Sequence, residues 1–256
     1  MPILHYFFAG LAAIVAGLFN ALAGGGTLIT FPTLLSIGLT PVVANVTNTI
    51  ALCPGFLGGT LAQANDLKDQ KKRLWLAVPA ALLGGLTGGF LLLRTSEKLF
   101  GNLVPFLILL AASLLALQNP LRNWLTRRQA HAPAKYLPEA WIFLPVFLGA
   151  IYGGYFGAGL SIIMLAVLGL ILNDNLTRLN ALKQSIGLSA NLAAAILFAF
   201  SGKINWSVAV VMMASALLGG LMGGRLASRV KPNVLRWIVV TIGFIVGMVY
   251  LVKTYF

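Results

Sequence analysis

Eight stretches of apolar sequence, separated by short polar or proline-containing intervals, constrain this chain more than any other feature. They run over residues 3–37, 41–62, 74–93, 99–118, 141–172, 177–200, 205–227 and 233–252. A helix needs about 20 apolar residues to cross the hydrocarbon core of a bilayer, and most of the stretches are near that length. Only 9% of the 256 residues are charged, where a soluble domain carries roughly a quarter. The sequence therefore predicts an all-α polytopic membrane protein. Its 18 Lys and Arg against 5 Asp and Glu read as loop orientation rather than nucleic-acid binding, because membrane chains gather basic residues in the loops that stay inside. The single cysteine, Cys53, allows no internal disulfide. With no CxxC pair and no histidine cluster, neither a metal site nor a cofactor is expected. The run from Ile3 to Leu22 imitates a secretory signal, but no Lys or Arg precedes it and the segment around Ala23 belongs to a repeat, so it is expected to be retained.

The first and fifth stretches are too long for one crossing, and glycines interrupt both: Gly24, Gly25 and Gly26 in one, Gly157 and Gly159 around Ala158 in the other. Each glycine costs a helix interior about 1 kcal/mol relative to alanine, so the helices should break there. The pattern then repeats. Gly84-Gly85-Leu86-Thr87-Gly88-Gly89 returns 135 residues later as Gly219-Gly220-Leu221-Met222-Gly223-Gly224, and Asn45, Asn48 and Thr49 return at the same offset as Asn180, Lys183 and Gln184. Residues 1–118 read as a first transmembrane repeat and 140–256 as a second. A cytoplasmic linker, 119–139, joins them and carries Pro120, Pro133 and Pro138. Basic residues swap sides between the halves: Lys68, Lys71, Lys72 and Arg73 follow the second stretch, while its counterpart loop has only Lys203. An inverted repeat produces such a swap, provided each glycine-broken segment is a hairpin or a pair of short helices, which gives about 8 to 10 helical membrane segments. Eight simple crossings in parallel repeats would leave the swap unexplained.

Polar residues inside the stretches mark the candidate site. Asn45, Asn48 and Thr49 share one helical face, and so do Asn180, Lys183 and Gln184. A lysine at a helix centre costs roughly 2.5–3.5 kcal/mol to insert, so it normally faces a partner or a watery cavity. Lys183 is the expected anion anchor; snorkelling to the interface is the alternative. The restarts near Thr27 and Ser161 offer unpaired N–H groups and a positive dipole end to an oxyanion. Asn20 and Tyr155 flank the two breaks. The paired glycines of the third and seventh stretches read as close-packing surfaces, and Cys53 beside Pro54 as a core residue at a kink. The acids Asp66, Asp69, Glu97, Glu139 and Asp174 lie in or beside loops, as His5 and His131 lie at the N-terminus and in the linker. No nucleophile–base pair or metal constellation can be assembled, so no enzyme is expected.

The chain resembles the TauE/SafE sulfite-exporter family, also called TSUP and formerly DUF81. The resemblance rests on Ala16-Gly17-Leu18 through Gly26, Phe31-Pro32-Thr33-Leu34-Leu35, Ala44-Asn45-Val46-Thr47-Asn48-Thr49, the Gly84–Gly89 helix and Gly202-Lys203-Ile204-Asn205-Trp206 leading to Gly219–Gly224. It implies a secondary transporter in a prokaryotic cytoplasmic membrane, carrying sulfite, organosulfonates or related sulfur oxyanions and coupled to protons. An anion channel or facilitator, or a carrier of small carboxylates, is the alternative. The expected partners are a small anionic substrate, protons carried with it and membrane lipid; a homo-oligomer is compatible with the sequence.

Overall fold

The computed structural model describes residues 2–22, 25–131, 138–172, 174–226 and 232–256, and among them it is helical, without strands. The helices are α1 (Ile3–Leu22), α2 (Thr27–Ser36), α3 (Pro41–Ala62), α4 (Lys71–Arg94), α5 (Glu97–His131), α6 (Phe143–Tyr155), α7 (Leu160–Ile171), α8 (Leu176–Ala199), α9 (Trp206–Leu226) and α10 (Pro232–Tyr255). Short 3-10 turns at Ala64–Leu67 and Glu139–Ile142 precede α4 and α6. Six of the described helices are long and apolar enough to cross a membrane, and α2 and α7 belong to a shorter apolar class. The chain is a multi-pass membrane protein.

Local chemistry explains the boundaries. Both long stretches break at their glycines: α1 ends and α2 starts around Gly25, at φ 99°, while Gly157 and Gly159, at φ 79° and 81°, turn the chain between α6 and α7. Pro41 occupies the first position of α3, where its missing N–H costs nothing. Glu97 then caps that helix from a distance, its carboxylate accepting from the Thr40 hydroxyl at 2.8 Å and from the Val42 N–H at 2.9 Å. Asn175 caps α8 through the Arg178 N–H at 2.9 Å. Helix α5 runs on through Asn119 and Pro120 to His131, so the start of the segment expected to be a linker is helical; residues 132–137 lie outside the described set.

Helix α1 packs along α9, and α4 along α6, each joining a glycine-broken segment of one half to a glycine-rich helix of the other. The closeness is set by backbone. A Cβ on Gly84 would stand 2.4 Å from the Phe147 carbonyl oxygen, and one on Gly219 would stand 2.0 Å from that of Ile14. Helix α3 crosses α8 and α9 at the centre, and α5 pairs with α10.

One cluster fixes where the broken helix pair α6–α7 enters and leaves. Arg73, at the start of α4, donates to Glu139 just before α6 and to Asp174 just after α7, and Arg178 also donates to Asp174 at 2.9 Å. Both ends of the pair therefore sit at the end of the bundle where α4 begins. Burial alone would raise the Asp174 carboxyl, but hydrogen bonds from Arg73, Arg178 and the Asn175 N–H hold it below the usual carboxylate range. A carboxyl held low in the folded state adds stability above its unfolded value near about 3.9, and that contribution is lost as pH falls toward the lower folded value. Asp174→Asn is expected to lower the melting temperature at pH 7 by roughly 2–4 °C, about 1 kcal/mol for a chain of this size. The gap from the parent should narrow as pH drops below about 4; a gap independent of pH would show that the carboxylate charge is not what stabilises the cluster.

Candidate functional site

The sequence sends polar side chains into the bundle from both halves, and one cavity of about 330 Å³ collects a subset of them. From the first half come Asn20 beside the α1–α2 break, Gln63 and Asp66 after α3, and Gln118 on α5, and Arg122 joins them from the part of α5 that runs into the linker. From the second come Ser161 in the first turn of α7 and Thr177, Asn180, Lys183 and Gln184 on α8. Gly55, Phe56, Leu165 and Leu176 supply the apolar remainder of the wall. Two basic side chains against the single carboxylate of Asp66 leave the lining net positive.

Lys183 is buried, at 8% relative exposure. Its ammonium donates to Asn180 Oδ1 at 2.6 Å, and Asn180 in turn donates from Nδ2 to Gln63 Oε1 at 2.7 Å. This relay ties α8 to the end of α3. An ammonium has three donors, so the bond to Asn180 orients the group and leaves capacity for a ligand. Gln184 rests over Gly59 of α3, where an added Cβ would stand 2.9 Å from Nε2. Ser161 brings the positive end of α7 to the cavity wall.

The other break is closed internally. The Gly26 N–H donates to Asn20 Oδ1 at 3.0 Å, and the N–H groups of Ile29 and Thr30 are spent on the Gly26 carbonyl. Asn20 thus serves the break as a cap while facing the cavity; at the start of α7 the N–H groups of Ile162 and Ile163 are likewise spent on the Gly159 carbonyl. Gly25, Gly26 and Thr27 are not on the cavity wall, and Gly24 lies outside the described residues. Nor are Gly157 and Gly159, whose part is the turn before α7.

Asn45, Asn48, Thr49 and Tyr155 form a separate group away from the wall. Asn45 donates from Nδ2 to the Tyr155 carbonyl at 2.8 Å, joining α3 to the last residue of α6. Thr49 donates its hydroxyl to the Asn45 carbonyl at 2.9 Å. The Tyr155 hydroxyl lies 3.3 Å from that of Thr95. Arg122, Gln118, Gln63, Asp66 and Thr177 are the polar lining residues that sequence reasoning missed. Only the four-residue spacing of Gln118 and Arg122 signalled a shared helical face, and Pro120 between them masked it.

Known proteins resemble the chain along nearly its whole length. The family profile described as "Sulfite exporter TauE/SafE" matches residues 9–250. A "Probable membrane transporter protein" of Haemophilus influenzae is 33% identical over 238 residues, covering 92% of this chain and 91% of its own. "Probable membrane transporter protein YfcA" of Escherichia coli K12 is 24% identical over 241 residues, with 92% and 85% covered. "Probable membrane transporter protein ORF9" of a Sinorhizobium species is 23% identical over 239 residues, with 92% and 88% covered. A polytopic helical bundle, two glycine-broken helices and a profile match from Ala9 to Tyr250 agree: the chain is a membrane transporter that belongs to the TauE/SafE sulfite exporter family.

Proposed function

We propose that the protein is a secondary transporter of small anions, with sulfite and organosulfonates foremost, working by alternating access in the cytoplasmic membrane between two inverted repeats, residues 1–118 and 140–256, that a linker at 119–139 connects. The observation that carries this reading is the convergence of Lys183 of the second half and Arg122, where α5 runs into the linker, on a single cavity beside the start of α7. A preoriented ammonium, a guanidinium and a positive helix end suit a compact oxyanion. The volume is at the small end of the range for ligand sites, which fits a substrate of a few heavy atoms. Asp66, Arg122 and Leu176 extend the cavity toward the end of the bundle that carries Lys68 and Lys71–Arg73, the inner side by the distribution of basic residues. The state described is then inward-facing. Apart from Asp66 and Lys183 on the cavity wall, the acids and histidines lie in or beside loops, so a proton that moves with the substrate travels on the substrate itself or on one of these two groups.

Counterflow in proteoliposomes tests the reading. Vesicles preloaded with sulfite, sulfoacetate, sulfate or a small carboxylate are challenged with labelled anion outside. Saturable uptake accelerated by a sulfur oxyanion on the far side is expected. Non-saturable conductive flux would replace the carrier with a channel, and no flux of any anion would remove the anion reading.

A further inference from the structure

Helix α3 carries Gly55, Gly58 and Gly59 near its C-terminal end, although glycine is among the poorest helix formers. Other helical glycines of the bundle answer to close backbone: a Cβ on Gly84, Gly85, Gly88 or Gly219 would stand within 2.4 Å of a carbonyl oxygen on the facing helix. Gly59 answers to a side chain, since a Cβ there would stand 2.9 Å from Nε2 of Gln184 on α8. Gly55 lies one turn before Gly59 on the same face and lines the cavity, as Gln184 does. A Cβ on Gly55 would meet no atom of the described residues within 4 Å. Its backbone is right-handed helix, open to any residue. Neither packing nor conformation therefore calls for a glycine at 55, and what the residue supplies is room in the cavity.

That room has a definite place. Helix α3 runs toward the cavity mouth, where Gln63 and Asp66 follow it, so Gly55 lies about 6 Å deeper than Gly59 at the helical rise per residue. Lys183 immediately precedes Gln184, the residue facing Gly59, and its ammonium donates to Asn180, which meets Gln63 on the mouth side. The open space at Gly55 thus lies beyond the ammonium, with Phe56 beside it on the wall. We propose that Gly55 sets the size of the anion that the cavity accepts: its missing side chain leaves room for a short carbon substituent on an oxyanion held by Lys183. A methyl group at 55 would take that room while leaving Lys183, Asn180 and Gln63 as they are, so it should reject the substituent and spare the head, as steric discrimination in a pocket does. Size selection at Gly55 rests on the anion reading and adds to it the residue that decides how large the anion can be.

Thermal melting of the purified protein, titrated with sulfite, methanesulfonate and ethanesulfonate, tests the assignment, because the three share a trioxygen sulfur head and differ by successive carbons. All three should raise the melting temperature of the wild type. Without anion, Gly55→Ala should melt at or above the wild type, since the methyl enters open space in a helix. With anion, its half-saturating concentration for ethanesulfonate should rise by about tenfold or more relative to that for sulfite. Gly58→Ala is the control: Gly58 is exposed, is not on the cavity wall and is equally free of neighbours, so it stiffens α3 alike and should leave the ratio unchanged. An unchanged ratio in Gly55→Ala would overturn the proposal. The same change in Gly58→Ala would overturn it too, by making helix stiffness the cause, and so would a Gly55→Ala that melts below the wild type, by showing the space to be closed in solution. A wild type stabilised by sulfite and by neither sulfonate would refute size selection at Gly55 and leave the anion reading standing, whereas a wild type stabilised by no anion would remove both.

Discussion

Lys183→Ala is expected to abolish anion-dependent stabilisation and to weaken anion binding by roughly 30-fold or more, the equivalent of about 2 kcal/mol for one charge-assisted hydrogen bond in a partly desolvated site. The readout is the shift that an anion produces, measured by thermal melting and by the half-saturating concentration in counterflow, rather than the melting temperature itself. That distinction matters here. Removing the ammonium relieves a buried charge but strips Asn180 Oδ1 of its donor, so stability without anion can move either way. Lys183→Arg keeps the charge but replaces a compact point donor with a planar fork, and should bind anion with intermediate strength. An anion shift of unchanged size in Lys183→Ala would transfer the anchoring role to Arg122 and the start of α7.

Gly219→Ala and Gly220→Ala, adjacent residues of one motif, should behave in opposite ways. A Cβ on Gly219 would stand 2.0 Å from the Ile14 carbonyl oxygen, and backbone on α1 cannot rotate out of the way. On Gly220 the nearest atom, the Gly17 carbonyl oxygen, is 4.0 Å off. Gly219→Ala must push α9 off α1, at about 3 kcal/mol or more, lowering the melting temperature by roughly 6–12 °C or preventing recovery of monodisperse protein. Gly220→Ala fills open space and gains helix propensity, so it should be neutral or stabilising by up to about 1 kcal/mol. Equal effects at both positions would mean that α1 and α9 are not in backbone contact.

How much of this was legible depended on how local the cause was. The two helix breaks follow from glycines that dictate their own backbone, and α3 from Pro41 to Ala62 coincides with an apolar stretch bounded by polar turns. The extension of α5 to His131 was hidden because Pro120 and the polar residues after Asn119 read as linker. Reading Arg122 as a linker residue kept it out of the candidate site. The grouping of Asn45 with Tyr155, 110 residues apart, rests on helix crossing that no local pattern encodes. The glycine motif announced close packing, yet Gly219 and Gly220 are indistinguishable until the facing helix is known. Lys183 was conspicuous as a charge in an apolar segment, while its fixed orientation through Asn180 and Gln63 needed the third dimension.

The exchange of partners between the halves also sets the order in which the protein can mature. Helix α4 emerges from the ribosome with Gly84 and Gly88 facing helix α6, which has not yet been synthesised, and α1 must wait longer still for α9. For most of translation the growing chain therefore holds two close-packing surfaces that only lipid, or an assisting insertase, can cover. Final assembly is a post-insertion event, so a truncated first half should persist as an incomplete substrate for quality-control proteolysis, whereas the two halves made as separate polypeptides should find each other in the bilayer.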